Sequence, residues 1–190
     1  MLRTVFLIAL ALSLAIGGGA ASAWIMIDRG FGFGAVDIGP WSAFPDRGTP
    51  AADPYSRARF ARQGYLAIGQ AEGIAFTAAR DSLGQSLSSA CTYQIEGPVP
   101  PSRLWTLHTA SPANGGAAAA GSAMHSLAIL RREDGSFEIS VSRHPSPGNW
   151  LRIDGRREFA LILTLYDTAV ATTARAVDVE LPLIRRLACD

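Results

Sequence analysis

Two apolar stretches flanking a Pro/Gly loop, all within residues 136–167, set the tightest limit on what this chain can fold into. In Phe137-Glu138-Ile139-Ser140-Val141-Ser142, apolar and polar residues alternate. Successive strand side chains point to opposite faces, so this pattern is a strand with one dry and one wet face. The second stretch, Phe159-Ala160-Leu161-Ile162-Leu163-Thr164-Leu165-Tyr166, is apolar at both parities. It predicts a central strand covered on both sides. Leu127 and Ile129 also alternate, and Arg131-Arg132-Glu133-Asp134-Gly135 has the composition of a turn. Residues 127–141 therefore predict a hairpin.

Shorter strands are expected upstream. Residues 74–78 form one, ended by a turn at Asp81-Ser82-Leu83-Gly84. Residues 92–95 form another, stopped by Gly97-Pro98-Val99-Pro100-Pro101, because proline cannot donate to a ladder. Residues 103–108 have period two, with Leu104, Thr106 and His108 on one face and Trp105 and Leu107 on the other. Residues 110–123 are nearly all Ala, Gly, Ser and Asn and predict a mobile loop. A last extended piece covers 176–184, with Pro182 marking a sheet edge.

One helix interrupts the strands. Asp53 has the chemistry of an N-cap and Pro54 suits the first turn; Gly64 is a stop after Gln63. Arg57, Arg59 and Arg62 read as its solvated face. Six or more short strands with one or two short helices give a mainly β fold. The expectation is an antiparallel β-sandwich or jelly-roll-like domain over residues 53–190.

Ahead of that domain the chain is very different. Arg3 is the one charge before Asp28, and residues 4–27 are 24 uncharged positions. An N-terminal hydrophobic helix follows. Gly17-Gly18-Gly19 and Ala21-Ser22-Ala23 fit a cleaved signal peptide. Trp24-Ile25-Met26-Ile27 prolongs the apolar run and fits a membrane anchor, since about 20 residues cross the ~30 Å hydrocarbon layer. Residues 1–27 are thus a signal peptide or an anchor. Either places the remainder across the membrane from Arg3: tethered to an inner membrane and facing the periplasm, or secreted to the periplasm. Residues 28–52, rich in Gly, Pro and aromatics, read as an extended lead-in laid against the domain by Phe33, Trp41 and Phe44.

The net charge is +1, and all seventeen basic residues are Arg. Arg156-Arg157 and Arg185-Arg186 hint at clustering but make no basic stripe for nucleic acid. Cys91 and Cys189 are an even pair in an oxidising compartment, which predicts a disulfide between them.

Candidate chemistry is sparse. His108, His125 and His144 carry no metal-ligand spacing, and neither a metal nor another cofactor is expected. No Gly-x-Ser-x-Gly elbow is present. Glu133 and Asp134 read as turn residues. Ligand-binding candidates are Asn149, Trp150 and Arg152 at the end of the Pro/Gly loop, with Trp105 and His108 on their strand. The packing alternative buries the Trp150 ring between the hairpin and the 159–166 strand.

The ordered set of these motifs resembles the family called domain of unknown function 1214. It runs from about residue 55 to 186: the helix at 55–64, the strand and turn at 74–84, Thr92-Tyr93, the bend at 97–101, Leu104-Trp105-Thr106-Leu107, Asp134-Gly135-Ser136, Asn149-Trp150-Leu151 and the strand at 159–166. Where members carry a Tyr-Asp and an Ile-Gly-Asp-Arg-like segment, this chain has His108-Thr109 and Ala123-Met124-His125. The resemblance implies no catalytic residue. Because larger members are fused to a domain of unknown function 1254, it implies a separate partner polypeptide carrying that domain.

The leading expectation is therefore a non-enzymatic, membrane-tethered or exported envelope domain that binds a partner protein or small ligand. A hydrolase-like enzyme completed by a partner is the alternative. A third reading, a carbohydrate-binding module, requires Trp41, Trp105 and Trp150 to be exposed.

Overall fold

The computed structural model describes residues 2–29, 34–63, 68–111, 118–153, 158–171 and 179–189. In chain order its elements are α1 (Leu2–Arg29), β1 (Val36–Ile38), β2 (Trp41–Ala43), α2 (Pro54–Gln63), β3 (Gly73–Ala78), β4 (Cys91–Glu96), β5 (Leu104–Ala110), β6 (Ala118–His125), β7 (Glu138–Ser142), β8 (Asn149–Arg152), β9 (Ala160–Tyr166) and β10 (Leu183–Cys189). A 3-10 turn at Ala169–Ala171 follows β9.

The strands form two sheets, of order β1-β2-β3-β9-β5-β6 and β10-β4-β7-β8. The first is antiparallel throughout. In the second, β7 and β8 run parallel and the other pairs antiparallel. One core joins them: Phe76, Trp105, Leu107, Leu161, Leu163 and Leu165 from the larger sheet, with Tyr93, Ile95, Ile139, Val141, Leu151 and Ile184 from the smaller. Burying such side chains stabilises by about 1.5–3 kcal/mol each, which is what makes the two-layer arrangement hold.

β9 is the central strand its composition predicts. It lies between β3 and β5, and its first six residues are buried. Leu161, Leu163 and Leu165 face the core, while Ile162 and Thr164, of opposite parity, are buried on the other face. The expected period of β5 also holds: Trp105 and Leu107 point inward, and Leu104, Thr106 and His108 are half-buried on the outside. Asp53 caps α2, its Oδ1 accepting from the N–H groups of Tyr55 (2.9 Å) and Ser56 (3.0 Å). At the turn after β3, Oδ1 of buried Asp81 accepts from Leu83 (3.0 Å) and Gln85 (2.9 Å), and Oδ2 lies 3.0 Å from Nε of Arg186. That last contact is a close ion pair without hydrogen-bond alignment.

Three expectations, on the hairpin, the loop and the last strand, are corrected. There is no hairpin over 127–141: residues 126–129 are turn and bend, Leu127 is exposed, and β7 pairs instead with β4 and β8. The predicted loop at 110–123 holds β6, whose described register runs from Thr106↔His125 to Ala110↔Ala118 against β5. Pairing supplies what that Ala/Gly/Ser sequence lacks in strand preference. The lead-in contributes β1 and β2 to the larger sheet through Ser42↔Thr77, with Trp41 fully buried. The last strand is β10, placed after Pro182, and it is an edge strand as that proline predicts. Phe33, the Gly64 stop, Ala176 and the Arg156-Arg157 pair lie outside the described residues.

Cys91 and Cys189 are register partners on β4 and β10. Their Cα atoms are 3.9 Å apart and their sulfurs 1.98 Å apart, at disulfide distance as expected.

α1 is long and apolar enough to cross a membrane by length and composition. It is exposed over most of its length, with Leu2, Phe6, Leu14 and Ile16 all open. Its last turns meet α2.

Candidate functional site

The bend at 97–103 and the segment 126–137 leave a groove of about 800 Å³ between them. β5 positions its floor. Trp105 anchors segment 126–137 by accepting the N–H of Ser126 at its carbonyl (2.9 Å) and donating its own N–H to the Ser126 hydroxyl (3.3 Å). Its indole packs on Phe137 with ring centroids 5.3 Å apart. The other wall is fixed by backbone: the N–H of Arg103 donates to the Tyr166 carbonyl at 3.1 Å, and the Thr168 hydroxyl donates to the Pro101 carbonyl at 2.8 Å.

The rim is charged. Arg103 and Arg131 are exposed, and the Arg131 guanidinium lies 5.8 Å from the Phe137 ring centroid. Asp134 sits beside them. The Ser136 hydroxyl (2.6 Å) and N–H (2.9 Å) donate to its Oδ1, and these bonds hold its carboxyl below the ordinary carboxylate value. The Ser102 hydroxyl is buried without a hydrogen-bond partner among the described residues. Prolines 98, 100 and 101 offer carbonyls and no N–H. Among the described residues the lining holds no histidine or cysteine, so no serine hydroxyl there has an imidazole base. The arrangement can grip an apolar body through Phe137 and an acceptor group through two guanidiniums. It has no assembled nucleophile.

The five candidate residues are not brought to one place. Trp105 lines the groove floor, 4% exposed. Asn149 lines a neighbouring hollow of about 240 Å³, and Arg131 is common to both. The Asn149 side chain is fully engaged: Nδ2 donates to the carbonyls of Leu130 (2.8 Å) and Glu138 (2.9 Å), and Oδ1 accepts from the Leu130 N–H (2.7 Å). It therefore fixes the groove wall from behind. Trp150 is half-buried, and its indole N–H donates to the Ser142 hydroxyl (3.1 Å) and carbonyl (3.3 Å). Asn149 and Leu151 point inward on β8, so Trp150 and Arg152 take the opposite face. Trp150 lines neither of the two hollows. His108 stands apart, on the outer face of the larger sheet opposite Ile162 and Ala123. Burial pushes its imidazole below the ordinary value. The diagonal neighbour is His125, and among the described residues no group of three metal-ligating side chains forms.

The platform a carbohydrate module needs is absent from Trp41 and Trp105, both buried. Arg131 and Phe137 were not singled out by sequence reasoning; they share a groove lining with Arg103, which precedes β5 in the other sheet. Residues 72–170, just over half of the chain, match the sequence profile of the family described as Protein of unknown function (DUF1214).

The chain belongs to that family.

One solved structure agrees on the fold. The VPA0106 protein from Vibrio parahaemolyticus superposes with a TM-score of 0.56 at 16% identity, over 70% of this chain and 35% of that one. An uncharacterized protein from Burkholderia cenocepacia gives a TM-score of 0.44 at 18% identity, over 95% of this chain and 52% of that one. This DUF1214 chain thus spans about a third and a half of their lengths. No curated protein matches it. The matched segment starts at Glu72 and includes β3 to β9, both groove walls and Asn149.

Proposed function

We propose that this DUF1214 protein is a membrane-tethered domain, displayed on the far side of the bilayer from Arg3, whose groove binds a small ligand or a segment of a partner protein through an acidic or other acceptor group. The observation that carries the reading is the groove itself. At about 800 Å³ it lies within the size range of ligand sites, roughly 300–1,000 Å³. Its apolar floor and the two arginines in its lining match such a ligand. The apolar helix α1 and the Cys91–Cys189 pair support anchoring or export. A separate polypeptide carrying a domain of unknown function 1254 is the partner we put first.

The test is purification of the full chain from membranes, followed by native mass spectrometry. A stoichiometric small molecule or polypeptide is expected, and it should be lost in Arg131→Ala and Phe137→Ala. Recovery of the same adduct from both variants would show that the groove is not the site. A reporter active only outside the cytoplasm, fused after Asp190, should be active.

A further inference from the structure

Helix α1 stands clear of the sandwich until its last turns, where Ala23, Met26 and Ile27 become half-buried. There Arg62 of α2 closes on it. The Arg62 guanidinium lies 4.5 Å from the Trp24 ring centroid, and it pairs with the Asp28 carboxylate at 3.4 Å. These contacts set the Arg62 end of α2 level with Trp24. At about 1.5 Å per residue, Trp24 stands ~31 Å from Arg3 along the helix axis. The hydrocarbon layer is ~30 Å thick. With Arg3 in one headgroup layer, Trp24 falls in the other, where tryptophan is favoured. α2 is then at the same level.

We propose that α2 lies in that headgroup layer and binds the phosphates of acidic phospholipids through Arg59 and Arg62, with Tyr55 beside them. This rests on the tether reading above. Tyr55, Arg59 and Arg62 recur at i, i+4 and i+7, one stripe of the helix. Tyr55 is 43% exposed. The Arg59 guanidinium lies over the rings of Phe44 and Phe60, 5.4 and 5.5 Å from their centroids. Stacking of this kind leaves N–H edges for an anion, and among the described residues no carboxylate pairs with Arg59. The Arg62–Asp28 pair is open to solvent on both sides (49% and 57%). Exposed pairs of this kind are weak, so a phosphate can share the guanidinium. α2 itself carries three arginines and no acid. The third, Arg57, is turned away, donating to the carbonyls of Thr49 and Pro50. A short helix with aromatic and arginine side chains on one stripe, held level with the end of a spanning helix, complements an anionic bilayer surface. A protein partner would have to reach the same stripe past the headgroups.

The experiment places the full chain in nanodiscs of phosphatidylcholine, alone or mixed with phosphatidylglycerol, and follows hydrogen exchange of the α2 amides. Exchange should slow about thirtyfold in the mixed discs, the scale set by two arginines at an anionic surface. The double change Arg59→Gln with Arg62→Gln should abolish the difference. Arg57→Gln, and the charge-keeping Arg59→Lys with Arg62→Lys, should retain it. Unchanged thermal midpoints establish that each variant is folded, and the wild-type comparison needs no variant. Equal exchange in the two discs overturns the proposal. So does equal protection from inorganic phosphate added to phosphatidylcholine discs, which would make this a free-anion site. Quenching of Trp24 by brominated lipid chains separates the two levels. If Trp24 is quenched and exchange is equal, only the headgroup contact fails; if Trp24 is not quenched, the tether fails with it.

Discussion

The indole N–H of Trp41 donates to the carbonyl of Pro182 at 2.7 Å, in the buried interior and across 141 positions of sequence. It joins β2 of the larger sheet to the residue that introduces β10 of the smaller one. Trp41→Phe keeps most of the ring and leaves a buried carbonyl unpaired, which costs about 1–3 kcal/mol. The urea midpoint should fall accordingly with an unchanged slope.

Asp81 offers a sharper dissection. Asp81→Asn preserves the acceptor for Leu83 and Gln85 and removes the charge facing Arg186. Asp81→Ala removes both and should cost about 3–5 kcal/mol, the range for breaking a buried pair. The gap between the two variants in denaturant unfolding measures what the turn alone contributes.

The Cys91–Cys189 link spans 98 residues. On the chain-entropy account, closing a loop of this length stabilises by about 4–5 kcal/mol. Cys189→Ser should lower the thermal midpoint by as much as reductant lowers that of the wild type, and reductant should not affect the variant.

His108 makes stability depend on pH. Burial holds its pKa below the ordinary value in the folded protein. The unfolded chain titrates near ~6.5. Below about pH 6.5 the unfolded state therefore binds more protons, and stability falls as pH drops through that window. Urea midpoints measured from pH 7.5 down to 5.5 should decline less steeply in His108→Gln.

Asn149→Ala should cost about 3 kcal/mol or more, because it strips partners from the Leu130 N–H and the carbonyls of Leu130 and Glu138. It should also weaken ligand retention by loosening the wall that carries Arg131. Trp150→Ala breaks weaker, half-exposed contacts; about 1–2 kcal/mol is expected, with retention intact.

Particular residues show where sequence reasoning worked. β9 was legible because eight consecutive positions at both parities tolerate only a two-sided burial. Asp53 and Asp81 were legible because capping and turn chemistry is local. Leu127 and Ile129 misled because two alternating residues cannot outweigh the pull of Asn149 on both backbone groups of Leu130, nor β4 as a partner for β7. β6 was hidden because Ala, Gly and Ser carry no pattern until β5 supplies a ladder. Trp150 could not be assigned a face from its sequence because Asn-Trp-Leu-Arg permits either parity. Only the inward turn of Leu151 decides it. The groove needs Arg103 and Arg131 from segments that no spacing rule connects.

The β4–β10 pairing also sets a timetable. A ribosome adding 5–20 residues per second takes about 5–20 s to pass from Cys91 to Cys189, 98 residues later. For that interval the nascent chain carries a lone thiol and a strand without its neighbour. Any enzyme that oxidises or shields thiols therefore meets Cys91 well before the partner that will retire it.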